Sequence, residues 1–546
     1  MLFNSYEFIF AFLPTTLVMF FLLGRTSREW ALSWLIGASL FFYAWWRPIN
    51  VLIIAPSILI NFGLAHLLLR LRADQARVIA ARWVLAVGIV FNIAFLGYFK
   101  YVNFFSTVVN DVAGTHFFVE QVILPLGISF ITFQKIAFLI DVHARRVESF
   151  TLRDYCLFVL FFPQLIAGPI VHYREMMPQF QKASCRFEKE SVAVGLTLFL
   201  MGLFKKVVLA DGLAAHVSPV YDSVAMGGDA SLFPAWIAAV GFTLQIYFDF
   251  SGYTDMALGL ARCFGVRLPP NFDSPLKASS IIDFWLRWHM TLTRFLTAYL
   301  YNPLVLWLTR RRLAAGRTVL GGRDARIGGA YFHLLAGPTV LTMLISGLWH
   351  GAGYLFILWG LVHGIYLSVN HAWRMVGPRL WRDKESYSRF MRPVGFVLTF
   401  LAVAVAMVLF RSPSVGTASE ILQGMVGFNG IYLPQQIFDR LGPLTHLIGS
   451  VVVASPTIGG SGAEFVTTIM WIAGLLVVAL TFPNSMEILS RFEPAIGVKH
   501  RPGSLSGWAK ALEWRPTLSW ACLMSILTVS AMIKLGGKSE FLYWQF

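Results

Sequence analysis

Cysteine is scarce in this sequence. Cys156, Cys185, Cys263 and Cys522 lie far apart with no paired spacing, so neither a disulfide framework nor a structural zinc site is indicated. Charge is scarce too: 13% of the 546 residues are Asp, Glu, Lys or Arg, about half the share usual for a soluble globular domain. Several chemistries lack their signatures. No H-E-x-x-H, Walker-type loop or G-x-S-x-G elbow occurs, which argues against a zinc protease, an ATPase pump and a serine hydrolase. The start of the chain has no basic n-region and no small-residue cleavage site, so Tyr6 to Leu23 reads as a retained first helix.

What fills the chain instead is apolar. Hydrophobic residues make up 57% of it, and runs of roughly 20 residues, enough to cross a bilayer, recur from end to end. The plainest are Tyr6 to Leu23, Trp83 to Phe99, Pro393 to Phe410, Phe465 to Phe482 and Leu518 to Ile533. The fold class read from this is all-α, a polytopic integral membrane protein with about 11–12 transmembrane helices. The formal charge of +16 lies in short loops between these runs, a pattern that membrane orientation explains better than nucleic-acid binding.

Loop charge sets the orientation. No Lys or Arg precedes the first helix, while Arg25 and Arg28 follow it, which places the N-terminus outside. Trp30 to Leu69 is broken at "WWRPIN" and counts as two passes, returning to the basic residues Arg70 to Arg82 inside. Trp83 to Phe99 then crosses outward and Val122 to Ile140 returns. "CLFVLFFPQLIAGPIVHYRE" has basic residues on both flanks and Pro163, Gly168 and Pro169 within it. It reads as a re-entrant hairpin, whose non-helical backbone is tolerated only where protein or a water-filled cavity covers it. Passes near Val192 to Ala210 and Leu232 to Phe248 lead to a mixed inner section, Asp249 to Phe332. The chain reads as one membrane-embedded domain over 1–546, with an external loop over 412–464 and an aromatic tail over 540–546 that the last helix delivers outside.

Three constellations put ionisable groups at membrane depth, where the default reading is functional. In "SGLWHGAGYLFILWGLVHG", His350 sits between Trp349 and Gly351, with His363 further on. An imidazole in an apolar wall stays neutral and suits a general base acting on a hydroxyl; the competing reading is a helix-packing histidine. In "FWLRWHMTLTRFLTAYLYNPL", His289 lies among Trp285, Arg287, Trp288 and Arg294, and an interfacial amphipathic helix explains these residues equally well. In "QIYFDFSGYTDMALG", Asp249 and Asp255 bracket Ser251 and Tyr253, for which helix capping after a break is the favoured role.

Taken together, these stretches resemble the membrane-bound O-acyltransferase family, in its bacterial alginate O-acetyltransferase-like branch. The matches run from "LPLGISFITFQKIAFLIDV" through "FFPQLIAGPIVHYRE" and "FDFSGYTDMALGLARCFGVRLPPNFDSP" to "FWLRWHMTL" and "SGLWHGAG". They occupy core motifs over 125–364 in one order. The resemblance implies a helical fold around a central tunnel and transfer of an acyl group from a thioester to a hydroxyl. It implies His350 as the essential histidine and His289 as its companion. Asp249, Ser251, Tyr253, Asp255, Trp349 and His363 become candidates for tunnel support. No bound cofactor or metal is implied, and the expected donor substrate is acetyl-CoA. Arg310 to Arg312 are candidates for its phosphates, although positive-inside placement accounts for them as well.

The resemblance further implies a bacterial inner-membrane location, an exported polysaccharide as acceptor and a periplasmic or membrane-anchored partner acetyltransferase. The terminal "FLYWQF" resembles a motif whose tyrosine, here Tyr543, carries the acyl group transiently; an interfacial aromatic anchor is the alternative. Two rival functions stand beside this reading: a transporter or flippase using the same cavity, and acyl transfer to a lipid or protein acceptor.

Overall fold

Nine helices among the described residues are long and apolar enough to cross a bilayer. The structure is a computed structural model and describes residues 1–546 except 121, 183–184, 321–326, 382, 444, 446–448, 450, 456–460, 499–504, 538–541 and 543–546. Helices Ile128–His143 and Leu518–Lys534 are shorter, at 16 and 17 residues. The all-α, polytopic reading holds. The break expected at "WWRPIN" separates Arg28–Ala44 from Ile49–Arg72. The stretch 412–464 holds helix Val415–Met425 and two four-residue strands, Ile431–Pro434 and Val452–Ser455, paired in parallel.

The hairpin read from Pro163 and Gly168-Pro169 is a broken segment. Helix Leu152–Leu160 stops at Phe161, one turn forms over Phe162–Leu165, and Ile166 to His172 are non-helical before Tyr173–Lys182. Residues Leu157 to Tyr173 are all buried, so protein covers the irregular backbone as the membrane requires. Gly168 is obligatory, since a Cβ there would stand 2.3 Å from Gln164 Cα.

One expectation is overturned. Helix Leu232–Cys263 runs unbroken for 32 residues, so Asp249, Ser251 and Asp255 cap nothing; they sit inside a helix. Leu232 to Phe248 is its first half, and the irregular inner section begins only after Cys263. The reason is lateral packing against Lys189–Phe204. A Cβ on Gly202 would lie 2.5 Å from Gly252 O, and one on Gly259 would lie 2.4 Å from Gly195 O. Small residues at this spacing let two backbones touch, and that contact keeps a polar stretch helical.

Among the described residues five π-helical turns interrupt the long helices, including Gly97–Tyr101, Lys205–Ala210 and Thr297–Tyr301. Such turns re-aim side chains and collect at functional sites. Here these three carry Lys100, Lys206 and Tyr299.

Candidate active site

His350 is the last residue of helix Gly337–His350, and Gly351 continues in extended conformation. The neighbouring glycines both break the helix and allow contact. A Cβ on Gly347 would meet Phe356 O at 2.1 Å, and one on Gly360 would meet Met343 O at 2.3 Å, so this helix and Tyr354–Val376 pack backbone to backbone. The His350 ring is 5% exposed. Its centroid lies 4.9 Å from that of Trp349, 5.1 Å from Trp359 and 5.4 Å from Phe410.

His289 reaches the same place from another segment. It is not on an amphipathic helix: the chain breaks between Ile281–Trp285 and Met290–Leu296, and His289 takes the left-handed conformation, φ +43°. This backbone is uncommon for a non-glycine residue. It turns the imidazole into the core, where it is fully buried against Phe250 at 4.8 Å and stands 6.3 Å from His350 between ring centroids.

Asn271 orients His289. Its Oδ1 accepts the Thr291 N–H at 3.3 Å and the Thr291 hydroxyl at 2.6 Å, and lies 3.2 Å from His289 Nδ1. A backbone N–H only donates, so the Asn271 atom is its oxygen and His289 carries its proton on Nδ1. His363 is turned away. Trp285 Nε1 donates to its Nδ1 at 3.3 Å, and it packs on Trp359 at 4.7 Å, behind the ring that touches His350. Trp349 stacks on Phe133 at 5.1 Å and meets His289 at 6.2 Å, forming the wall between the histidines and the helix Ile128–His143.

A cavity of about 250 Å³ reaches His350, lined also by Tyr43, Arg47, Lys100, Leu126 and Trp349. Trp46, Arg47 and the segment 124–130 also line it, and the loop charges place residues 45–48 and 124–129 toward the outer face. Lys100 was missed in the sequence because it directly follows the run Trp83 to Phe99, where it reads as a flanking cation. Asn271 lay inside the motif "LPPNFDSP" without a visible role.

The acidic residues of the long helix form a second layer. Lys206 is 2% exposed and bridges Asp211 at 2.6 Å and Asp249 at 2.7 Å. Lys205 meets Asp255 at 2.6 Å, and Ser485 donates to the same carboxylate. Tyr253 stacks on Phe3 at 4.9 Å, and Ser251 is buried. Leu542 is the one described residue of the 540–546 tail. Leu542 is 1% exposed and its N–H donates to Asp249 Oδ2 at 3.3 Å; Tyr543 lies outside the described residues.

On the inner side, Tyr299 donates to Asp141 at 3.0 Å and lies 2.9 Å from His172 Nδ1, tying the broken hairpin to the π turn. With the Tyr299 proton on Asp141, His172 Nδ1 donates to the tyrosine oxygen.

Lys206→Met leaves two carboxylates without their buried cation. The expected cost is about 3–5 kcal/mol, read as loss of folded, detergent-stable protein. Lys206→Arg, which keeps the charge, is expected to restore most of it.

Residues 85–320 match the membrane-bound O-acyltransferase family, a span that includes His289 and stops before His350. Similarity to curated proteins extends over the whole chain. It is 34% identical to "Peptidoglycan O-acetyltransferase" of Helicobacter pylori, covering 100% of this chain and 98% of the relative. It is 32% identical to "Probable alginate O-acetylase AlgI" of Pseudomonas aeruginosa, covering 100% of both. "Teichoic acid D-alanyltransferase" of Bacillus subtilis is 27% identical over 52% of this chain and 68% of the relative. With full-length similarity to two O-acetylating proteins and its own pair of buried histidines, the chain belongs to the membrane-bound O-acyltransferase family and is a multi-pass membrane acyltransferase.

Proposed function

We propose that this enzyme moves acetyl from cytoplasmic acetyl-CoA across the bacterial inner membrane toward hydroxyls of an exported polysaccharide. The observation that carries this reading is the meeting of His350 and His289, from separate segments, with His350 lining a cavity in the membrane domain. His350 takes the proton of the attacking hydroxyl while its oxygen bonds the thioester carbon. The tetrahedral oxyanion collapses, the carbon–sulfur bond breaks, and the thiolate recovers the proton from His350. His289, whose tautomer Asn271 sets, holds the donor in register with that attack.

The acceptor class rests on relatives named for acylating peptidoglycan, alginate and teichoic acid, all polymers outside the membrane. The buried Leu542, hydrogen-bonded to Asp249 one residue from the Phe250 that packs on His289, supports Tyr543 as the first hydroxyl to receive acetyl. From there the group passes to a periplasmic or membrane-anchored partner transferase.

The test is the envelope of a deletion strain. Ester-linked acetate is expected to fall on one exported polysaccharide and to return with the intact gene. Unchanged polysaccharide acetate, with acyl groups lost instead from a lipid or a protein, overturns the acceptor assignment. Purified protein is expected to consume acetyl-CoA, and inertness toward it overturns the donor.

A further inference from the structure

A helix leaves its last four carbonyls without partners inside the helix. In Gly337–His350 these belong to Gly347, Leu348, Trp349 and His350, and each is taken. The Gly351 N–H donates to Gly347 O at 3.3 Å. The Tyr101 hydroxyl donates to Leu348 O at 2.7 Å, and Lys100 Nζ donates to both Trp349 O and His350 O, the latter at 3.1 Å. Three of the four thus depend on two consecutive residues of one π-helical turn, Gly97–Tyr101, remote in sequence from the histidine.

We infer that Lys100 and Tyr101 are positioning residues for the transfer reaction, a clamp that holds His350 by its own carbonyl. The inference rests on the proposed role of His350. An ammonium at a helix C-terminus is favoured by the helix dipole, and a folding role alone would ask no more than that. This clamp, however, sits on the reacting residue itself. The ring neighbours of His350 are aromatic faces, which resist rotation and sliding weakly, whereas hydrogen bonds to Leu348, Trp349 and His350 carbonyls fix both direction and distance. Lys100 also lines the cavity that reaches His350, so displacing it loosens the helix end where the acceptor hydroxyl must be met. Misplacement of a reacting group by about 1 Å costs on the order of 10²-fold in rate.

The experiment compares Lys100→Met, Lys100→Gln, Lys100→Arg and Tyr101→Phe in a complemented deletion strain and as purified protein, with His350→Ala as the zero. Lys100→Met is expected to lose about 10²-fold in kcat, with KM for the thioester within about twofold of wild type. Tyr101→Phe is expected to lose several-fold, and the double variant to lose less than the product of the two, because both act on one helix end. Lys100→Arg, whose fork also reaches two carbonyls, is expected to recover most of the loss. Wild-type kcat per folded molecule in Lys100→Met overturns the clamp. If that variant does not accumulate, wild-type kcat in both Lys100→Gln and Tyr101→Phe does the same. Full polymer acetate in His350→Ala is a different failure: it removes the histidine from the reaction, and the clamp with it.

Discussion

His350→Ala is expected to abolish acetyl transfer, with a loss of about 10³-fold or more in the rate per folded molecule. The size follows from where the residue stands. A hydroxyl is a poor nucleophile until a base within hydrogen-bond reach takes its proton. The ring neighbours of His350 are Trp349, Trp359, Phe410 and, at 6.3 Å, His289, and Lys100 holds its carbonyl; no carboxylate is among these neighbours to inherit the task. His350→Gln serves as a second variant that keeps volume and polarity while removing the base. Both are read as ester-linked acetate on the envelope polymer and as acetyl-CoA turnover by purified protein, with folded yield measured alongside. Activity above about a tenth of wild type in either variant, at normal yield, takes His350 out of the mechanism.

In the proposed reaction His350 serves proton transfer and His289 orientation. Its Nδ1–H is committed to Asn271, so the imidazole is fixed in one tautomer before any substrate arrives. In the proposed mechanism its contribution is directional, and the two histidines have distinct parts although they share a wall.

Much of this architecture was legible in the chain. Runs of apolar residues and the sidedness of arginine give the membrane class, and Pro163 with Gly168-Pro169 gives the broken hairpin, because both signals are local. Contacts across the fold were not legible. Asp249 and Asp255 look like caps when read beside Ser251 and Gly252, since their cations lie on another helix, at Lys205 and Lys206. Gly252 reads as a break until Gly202 is seen against it. His289 among Trp and Arg looks like a residue on an interfacial helix, because the positive φ that turns it inward has no sequence mark at a non-glycine position. Lys100 reads as the end of a hydrophobic run, and only the structure places the end of helix Gly337–His350 upon it.

Tyr543→Phe is expected to remove acetate from the exported polymer as completely as His350→Ala, while leaving protein abundance and membrane insertion unchanged. The substitution deletes one oxygen and keeps the ring, so it separates the two roles open to the tail. An interfacial anchor works through an amphipathic ring at headgroup level, and phenylalanine retains most of that attraction. A relay works through the phenol oxygen, which must bond the acetyl carbon as the carbon–sulfur bond breaks, give its proton to His350, and later regain a proton when the ester passes to the next hydroxyl. Nothing replaces that oxygen in phenylalanine. The neighbouring residue argues for the second role. Leu542 is buried, not spread at an interface, and its N–H is held by Asp249, itself held by Lys206. A second measurement follows the intermediate directly: wild-type protein incubated with labelled acetyl-CoA is expected to carry label on its C-terminal peptide, and Tyr543→Phe to carry none. Polymer acetate at the wild-type level in Tyr543→Phe returns the tail to the membrane interface and leaves His350 to act on an acceptor that comes in from outside.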